Sequence, residues 1–164
     1  MNDLNVEVAT IQRRFAAYLI DTAILLFPSC ILLIVFEKFP VIFNVIHMSL
    51  NCLYYTYFIS SANQATVGQQ IMNIYVANLD KTKIKVELAL DRSLSQCFLP
   101  LIVMILYKLS NIVESHTILH FLSILEVMIL MLNTAWYLAA VFSSNKQTVH
   151  DILFKTIVVV KTKI

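Results

Sequence analysis

The sequence predicts an all-α transmembrane bundle of four helices, with short β-strands in a cytoplasmic middle loop and C-terminal tail. Three observations carry that expectation. Of 164 residues, 59% are hydrophobic and 13% charged, where a soluble domain carries roughly 25% charged residues. The apolar residues gather in four runs close to the roughly 20 residues a helix needs to cross a bilayer. The basic residues lie almost entirely on one side of those runs.

In chain order the runs are about 15–36, 41–62, 96–113 and 117–142, leaving 1–14, 63–95 and 143–164 outside them. The first run is too long for the apolar part of a cleavable signal and contains Asp21, so it reads as an uncleaved span. Only Glu37, Lys38, Phe39 and Pro40 separate it from the second, which makes the pair a tight hairpin. In the third, Lys108 trims the apolar length, and Pro100 falls near the start, where a missing N–H costs least. Arg13, Arg14, Lys81, Lys83, Lys85, Arg92, Lys146, Lys155, Lys161 and Lys163 sit on one side; only Lys38 and Lys108 sit on the other. That asymmetry puts both termini and the middle loop in the cytoplasm.

The two segments that follow the hairpins resemble each other. Ser60–Ser61 leads into ANQATVGQQIMNIYVANLDKTKI, and Ser143–Ser144 leads into NKQTVHDILFKTIVVVKTKI. Aligning Thr66–Val67 with Thr148–Val149 puts Val76 on Val158, and Arg14 opens span one much as Arg92 opens span three. This is the pattern of a duplicated unit: basic start, helical hairpin, cytoplasmic tail. Two spans per unit preserve orientation, so the repeats are expected to be parallel. The β-branched runs at Ile74–Val76 and Thr156–Val160, with an alternating stretch at Lys83–Glu87, predict short strands. Pairing of the two tails beneath the helices satisfies them, because open sheet edges are prohibitive in lipid.

Helical spacing sorts the polar residues into stripes: Arg14, Ala17, Asp21 and Pro28 on span one; Asn44, His47, Asn51 and Tyr55 on span two; Glu126, Asn133 and Tyr137 on span four. A carboxylate in a lipid-length segment costs a few kcal/mol and usually faces a protein interior. Asp21, Asn51, Glu126 and Asn133 are therefore the candidates for an intramembrane polar or ion site, with interhelical hydrogen bonding as the plainer reading of the asparagines. Arg14 and Asp21 are two turns apart, too far for the usual contact along one helix. Asp151 lies at the same membrane face as Arg14 and suits its guanidinium, so the expectation is one linked cluster of Arg14, Asp21 and Asp151. His150 reads as a surface histidine at a helix start, or as a group titrating near neutral pH.

RRFAAYLID at 13–21, YYTYFISSANQATVGQQIMNIYVANLD at 54–80 and NKQTVHDILFKTIVVVK at 145–161 resemble the RDD family of membrane proteins, named for one arginine and two aspartates. Position by position, these are Arg14, Asp21 and Asp151. The chain departs from the family pattern at Asn63–Gln64, where a glycine is usual, and at Gln69, where a lysine is common. Gly68, the only glycine, points to a backbone need at that turn. The resemblance implies a multi-pass protein of the bacterial inner membrane; transport, including cation/proton exchange, has been proposed for some members.

Two functions follow. One is a small cation or proton-coupled transporter built on an intramembrane carboxylate, with a homodimer supplying a wide enough pathway. The other is a non-catalytic scaffold or assembly factor. No nucleophile–base pair, phosphate-cradling loop or metal-ligand spacing is present, so no enzyme, cofactor or metal is expected. Cys30, Cys52 and Cys97 read as small apolar residues, and a net charge of +2 gives no reason to expect nucleic acid.

Overall fold

The computed structural model describes residues 7–161; residues 1–6 and 162–164, with Lys163, lie outside it. Helix α1 (Ile11–Val35) and helix α2 (Pro40–Ser60) form the first hairpin, followed by a one-turn helix α3 (Val67–Ile71) and strand β1 (Ile74–Asn78). Helix α4 (Val86–Ser110), helix α5 (His116–Phe142), helix α6 (Val149–Leu153) and strand β2 (Thr156–Val160) repeat that order. Local chemistry accounts for the boundaries. Thr10 caps α1 by accepting from the Arg13 N–H, and Pro40 opens α2 at the position where proline is pre-organised. Both short helices begin with a reciprocal capping box, Thr66 with Gln69 and Thr148 with Asp151.

Among the described residues, α1, α4 and α5 are long and apolar enough to cross a membrane. Helix α2 has 21 residues, but its apolar character is diluted by Asn44, His47, Asn51 and a run of tyrosines. A count of four spans is therefore not established by length and composition. Two further expectations need correcting. Helix α4 begins at Val86, well before the apolar run at 96, and the strand expected at Lys83–Glu87 is absent. The turns from Glu87 to Ser95 bury Ala89, Arg92 and Ser93 against protein; apolarity marks where a lipid-facing surface starts, not where the helix starts.

The predicted β-structure is present. β1 and β2 pair antiparallel, with Val76 opposite Val158 at the centre and Ile74 opposite Val160 at one end. Because these two valines are also equivalent in the repeat, the pseudo-two-fold axis runs between them. The repeat extends to backbone conformation: left-handed residues precede and follow each short helix at matching positions, Gln64 and Asn73 in the first half, Lys146 and Lys155 in the second. Both outer edges of the sheet are covered, as unpaired edges require. Gln64 holds the β1 edge, its carbonyl accepting from the Val76 N–H (2.8 Å) and its side chain donating to the Val76 carbonyl (2.7 Å). The chain entering α1 holds the other, with Ala9 N–H to the Val158 carbonyl (3.0 Å) and Val160 N–H to the Glu7 carbonyl (2.8 Å).

The buried core gathers around this sheet: Ala9, Ala17, Ile59, Ile74, Val76, Ile84, Ala89 and Val158. The long helices are different, exposing large apolar side chains such as Phe27, Ile34 and Phe142. Such continuous apolar exposure marks a membrane-facing surface.

Gly68 explains how the first half closes. Its φ is not positive, so the backbone need is one of space. A Cβ at Gly68 would collide with the Ala17 carbonyl oxygen and come within 2.9 Å of Asp21 Oδ1. The second half has His150 at this position, and there α6 lies against α4 much less closely than α3 does against α1. Gly68→Ala is expected to lift α3 off α1 at a cost of about 1–3 kcal/mol, read as a lower Tm in detergent; an unchanged Tm refutes the steric account.

Candidate functional site

Arg14 and Asp151 meet across the ends of the chain. An Arg14 Nη2 hydrogen donates to Asp151 Oδ2, while Nη1 donates to the Lys146 carbonyl. A second guanidinium arrives from α4: Arg92 Nη2 donates to Asp151 Oδ1 at 2.6 Å. The Thr148 hydroxyl and backbone N–H add bonds to Oδ2 at 2.8 and 3.1 Å, and the Thr156 hydroxyl donates to Oδ1 at 3.3 Å. Asp151 is fully buried and Arg92 is 3% exposed. The carboxylate thus ties α1, α4, α6 and β2 together. A buried charge persists only when it is paired and its lone pairs are filled, and both conditions hold for Asp151.

Arg92 lies outside the apolar run of span three, which hides its place in the site. The signal that finds it is the repeat, which aligns it with Arg14. His150 corrects a second expectation: it is 4% exposed, not a surface residue. Its Nε2 lies 2.9 Å from Thr148 Oγ1, 3.3 Å from Gln96 Nε2 and 3.7 Å from Asp151 Oδ1, and its ring meets Tyr137 edge-on at 5.9 Å. Burial, reinforced by Arg92 and Arg14 and opposed by Asp151, pushes its pKa down to about 3, so the imidazole is neutral at physiological pH. For Asp151, burial favours the neutral acid, but Arg92, Arg14 and His150 together outweigh it and hold the carboxyl well below the usual carboxylate range.

Asp21 belongs to a different cluster. Its Oδ1 accepts from the Tyr54 hydroxyl (2.7 Å) and the Gly68 N–H (2.8 Å), and its Oδ2 accepts from the Thr66 hydroxyl (2.6 Å). It is 2% exposed and joins α1 to α2 and α3. The expected single cluster of Arg14, Asp21 and Asp151 is therefore two, because the donors that open α3 and the phenol of α2 claim Asp21. Gln69, where a lysine is common, serves the capping box instead: its Oε1 accepts from the Thr66 N–H at 3.0 Å.

The remaining candidates do not converge on Asp21. The Asn51 amide donates to the His47 carbonyl within α2 (2.8 Å). Asn133 is half-buried on α5. Glu126 Oε1 is buried with no hydrogen-bond partner among the described residues. No hydrogen bond or ion pair among them joins Asp21 to Asn51, Glu126 or Asn133, and no cluster of metal-ligating residues occurs among them.

Two outcomes follow from this geometry. Asp151→Ala leaves two guanidiniums without their carboxylate and is expected to cost about 3 kcal/mol or more, whereas Arg92→Ala leaves Asp151 paired with Arg14 and is expected to cost less. The double variant should cost less than the two together, measured by unfolding in detergent; additive costs would deny the coupling. The pH dependence has a definite sign. Between pH 6.5 and about 3 the unfolded chain protonates His150 and the folded chain does not, so stability falls as pH falls through that window. Below 3.8 protonation of Asp151 in the unfolded chain adds to the loss. His150→Gln should flatten the Tm profile between pH 6.5 and 3.8, and an unaltered slope would exclude His150 as its source.

Compared with known proteins, the chain matches the family model described as RDD family over residues 8–155. No curated protein and no solved structure matches it. The matched stretch takes in Arg14, Asp21 and Asp151 as well as all four long helices, and on that match the chain belongs to the RDD family.

Proposed function

We propose that the protein is a multi-pass scaffold of the bacterial inner membrane, non-catalytic, with four spans and both termini and the middle loop in the cytoplasm. One observation carries the scaffold reading: the oxygens of Asp21 and Asp151 are all taken up by donors inside the fold. A transport cycle at Asp21 would have to break the bonds that hold α3 to α1. The sheet and the two short helices then form a rigid cytoplasmic layer on which a protein partner assembles. Helix α2, at about 1.5 Å per residue, has the length to return across the bilayer. Tyr54, in the C-terminal half of α2, reaches Asp21 in the N-terminal half of α1, which supports an antiparallel return and hence a fourth span.

Glu126 favours a second reading, transport of a proton or small cation, with a dimer enclosing the path. Its buried, unpartnered oxygen lies in an otherwise apolar stretch of α5, where an ionisable group is expensive.

Reconstituted protein separates the two. The scaffold reading expects no proton or cation flux above that of empty vesicles. Flux abolished by Glu126→Gln with folded yield intact would establish transport instead. For topology, reporter fusions at Pro40 and near Ser115 should report the periplasm, and a fusion at Lys81 the cytoplasm; a cytoplasmic signal at Pro40 would defeat the four-span arrangement.

A further inference from the structure

The cluster around Asp151 is one negative charge short. Arg14 and Arg92 bring two positive charges and Asp151 one negative charge, and Asp151 is the only carboxylate among the described residues within ion-pair distance of either arginine. The imbalance is buried: the Arg92 side chain is 4% exposed and that of Arg14 14%. Arg92 Nε and His150 Nδ1 are buried without a hydrogen-bond partner among the described residues. An uncompensated buried charge is strongly unfavourable, and so is a buried donor with nothing to donate to. A guanidinium with a free N–H edge is matched in shape and charge by an oxyanion, above all phosphate.

We propose that Arg14 and Arg92 form a binding site for a phosphate oxyanion, reached from the partly exposed Arg14 side, with the anion supplying the missing negative charge. The excess of one charge fits a phosphodiester, which carries one, and it also fits inorganic phosphate. The phosphodiester source is a lipid headgroup and rests on the proposed placement of this end of the bundle at the cytoplasmic membrane face. The free-phosphate source does not. Gln96, hydrogen-bonded to His150 beside the cluster, is the position from which an internal carboxylate can take the ligand's place.

The test uses the full chain delipidated in a maltoside detergent, which contains no phosphate. Tm is followed against added sodium phosphate, against sodium chloride at matched ionic strength, and against added phosphatidylglycerol, with native mass spectrometry counting retained lipid. Phosphate or phosphatidylglycerol should raise Tm by about 5 °C near saturation, and chloride should not. A response to phosphatidylglycerol alone assigns the lipid source, and a response to phosphate alone assigns the free anion. Gln96→Glu should fold without added anion and lose the response; Arg92→Gln, where it folds, should lose it too. A Tm unmoved by either probe, moved equally by chloride, or moved equally in Gln96→Glu overturns the proposal. Flux and topology measurements are independent of all these outcomes, so failure here leaves the scaffold reading intact.

Discussion

A buried carboxylate has to be answered from every side, and the layer formed by the sheet and the two short helices is organised by that requirement at Asp151. Two guanidiniums, two hydroxyls and a backbone N–H converge on its two oxygens. Those donors come from α1, α4, the start of α6 and the start of β2, so satisfying one side chain fixes four elements relative to each other. Asp21 repeats the principle on a smaller scale with neutral donors, fixing α1, α2 and α3. Apolar burial alone would position helices in a bilayer poorly, since lipid tails are as apolar as the helix faces. Directional bonds to two carboxylates supply the register that greasy surfaces lack.

The duplication shows how one frame came to hold two different clusters. Both halves keep the capping box, the left-handed residues and the strand, so the frame is backbone chemistry. The contents differ at three matched positions. Gly68 corresponds to His150, Gln69 to Asp151 and Asp21 to Leu99. In the first half the carboxylate projects from the long helix and binds the short one, which a glycine lets approach. In the second the carboxylate belongs to the short helix itself, a bulky ring keeps the helices apart, and long arginine side chains span the distance. The carbonyl of Gln64 accepts a strand N–H, and the matching carbonyl of Lys146 accepts Arg14 instead.

Much of this was legible in the sequence. Apolar runs located the long helices, and aligning the tails identified the strands and made Val76 equivalent to Val158; that the two lie opposite each other is seen only in the fold. The chemistry of Arg14 and Asp151 suggested their pairing. What stayed hidden depended on contacts between distant segments. Arg92 reads as a loop charge until α4 is seen to start at Val86. His150 reads as a surface residue because nothing local reveals that Tyr137 and Gln96 will cover it. Gly68 announces itself as the lone glycine, but only the approach of Ala17 distinguishes a need for space from a need for unusual torsion. Asp21 reads as part of the Arg14 cluster because its actual partners, Tyr54 and Thr66, are ordinary polar residues far along the chain.

The placement of β2 has a bearing on how the protein is made. This strand is central to the layer, pairing with β1 on one side and with the chain around Val8 on the other, and yet it follows both of them in the sequence. During synthesis, therefore, the segment around Val8 waits for a strand made much later. Until Asp151 and β2 leave the ribosome, two arginines have no counter-charge and β1 has an open edge. A chain interrupted before Asp151 and β2 is thus chemically distinct from one that contains them, with two arginines unanswered and a strand edge open to other partners.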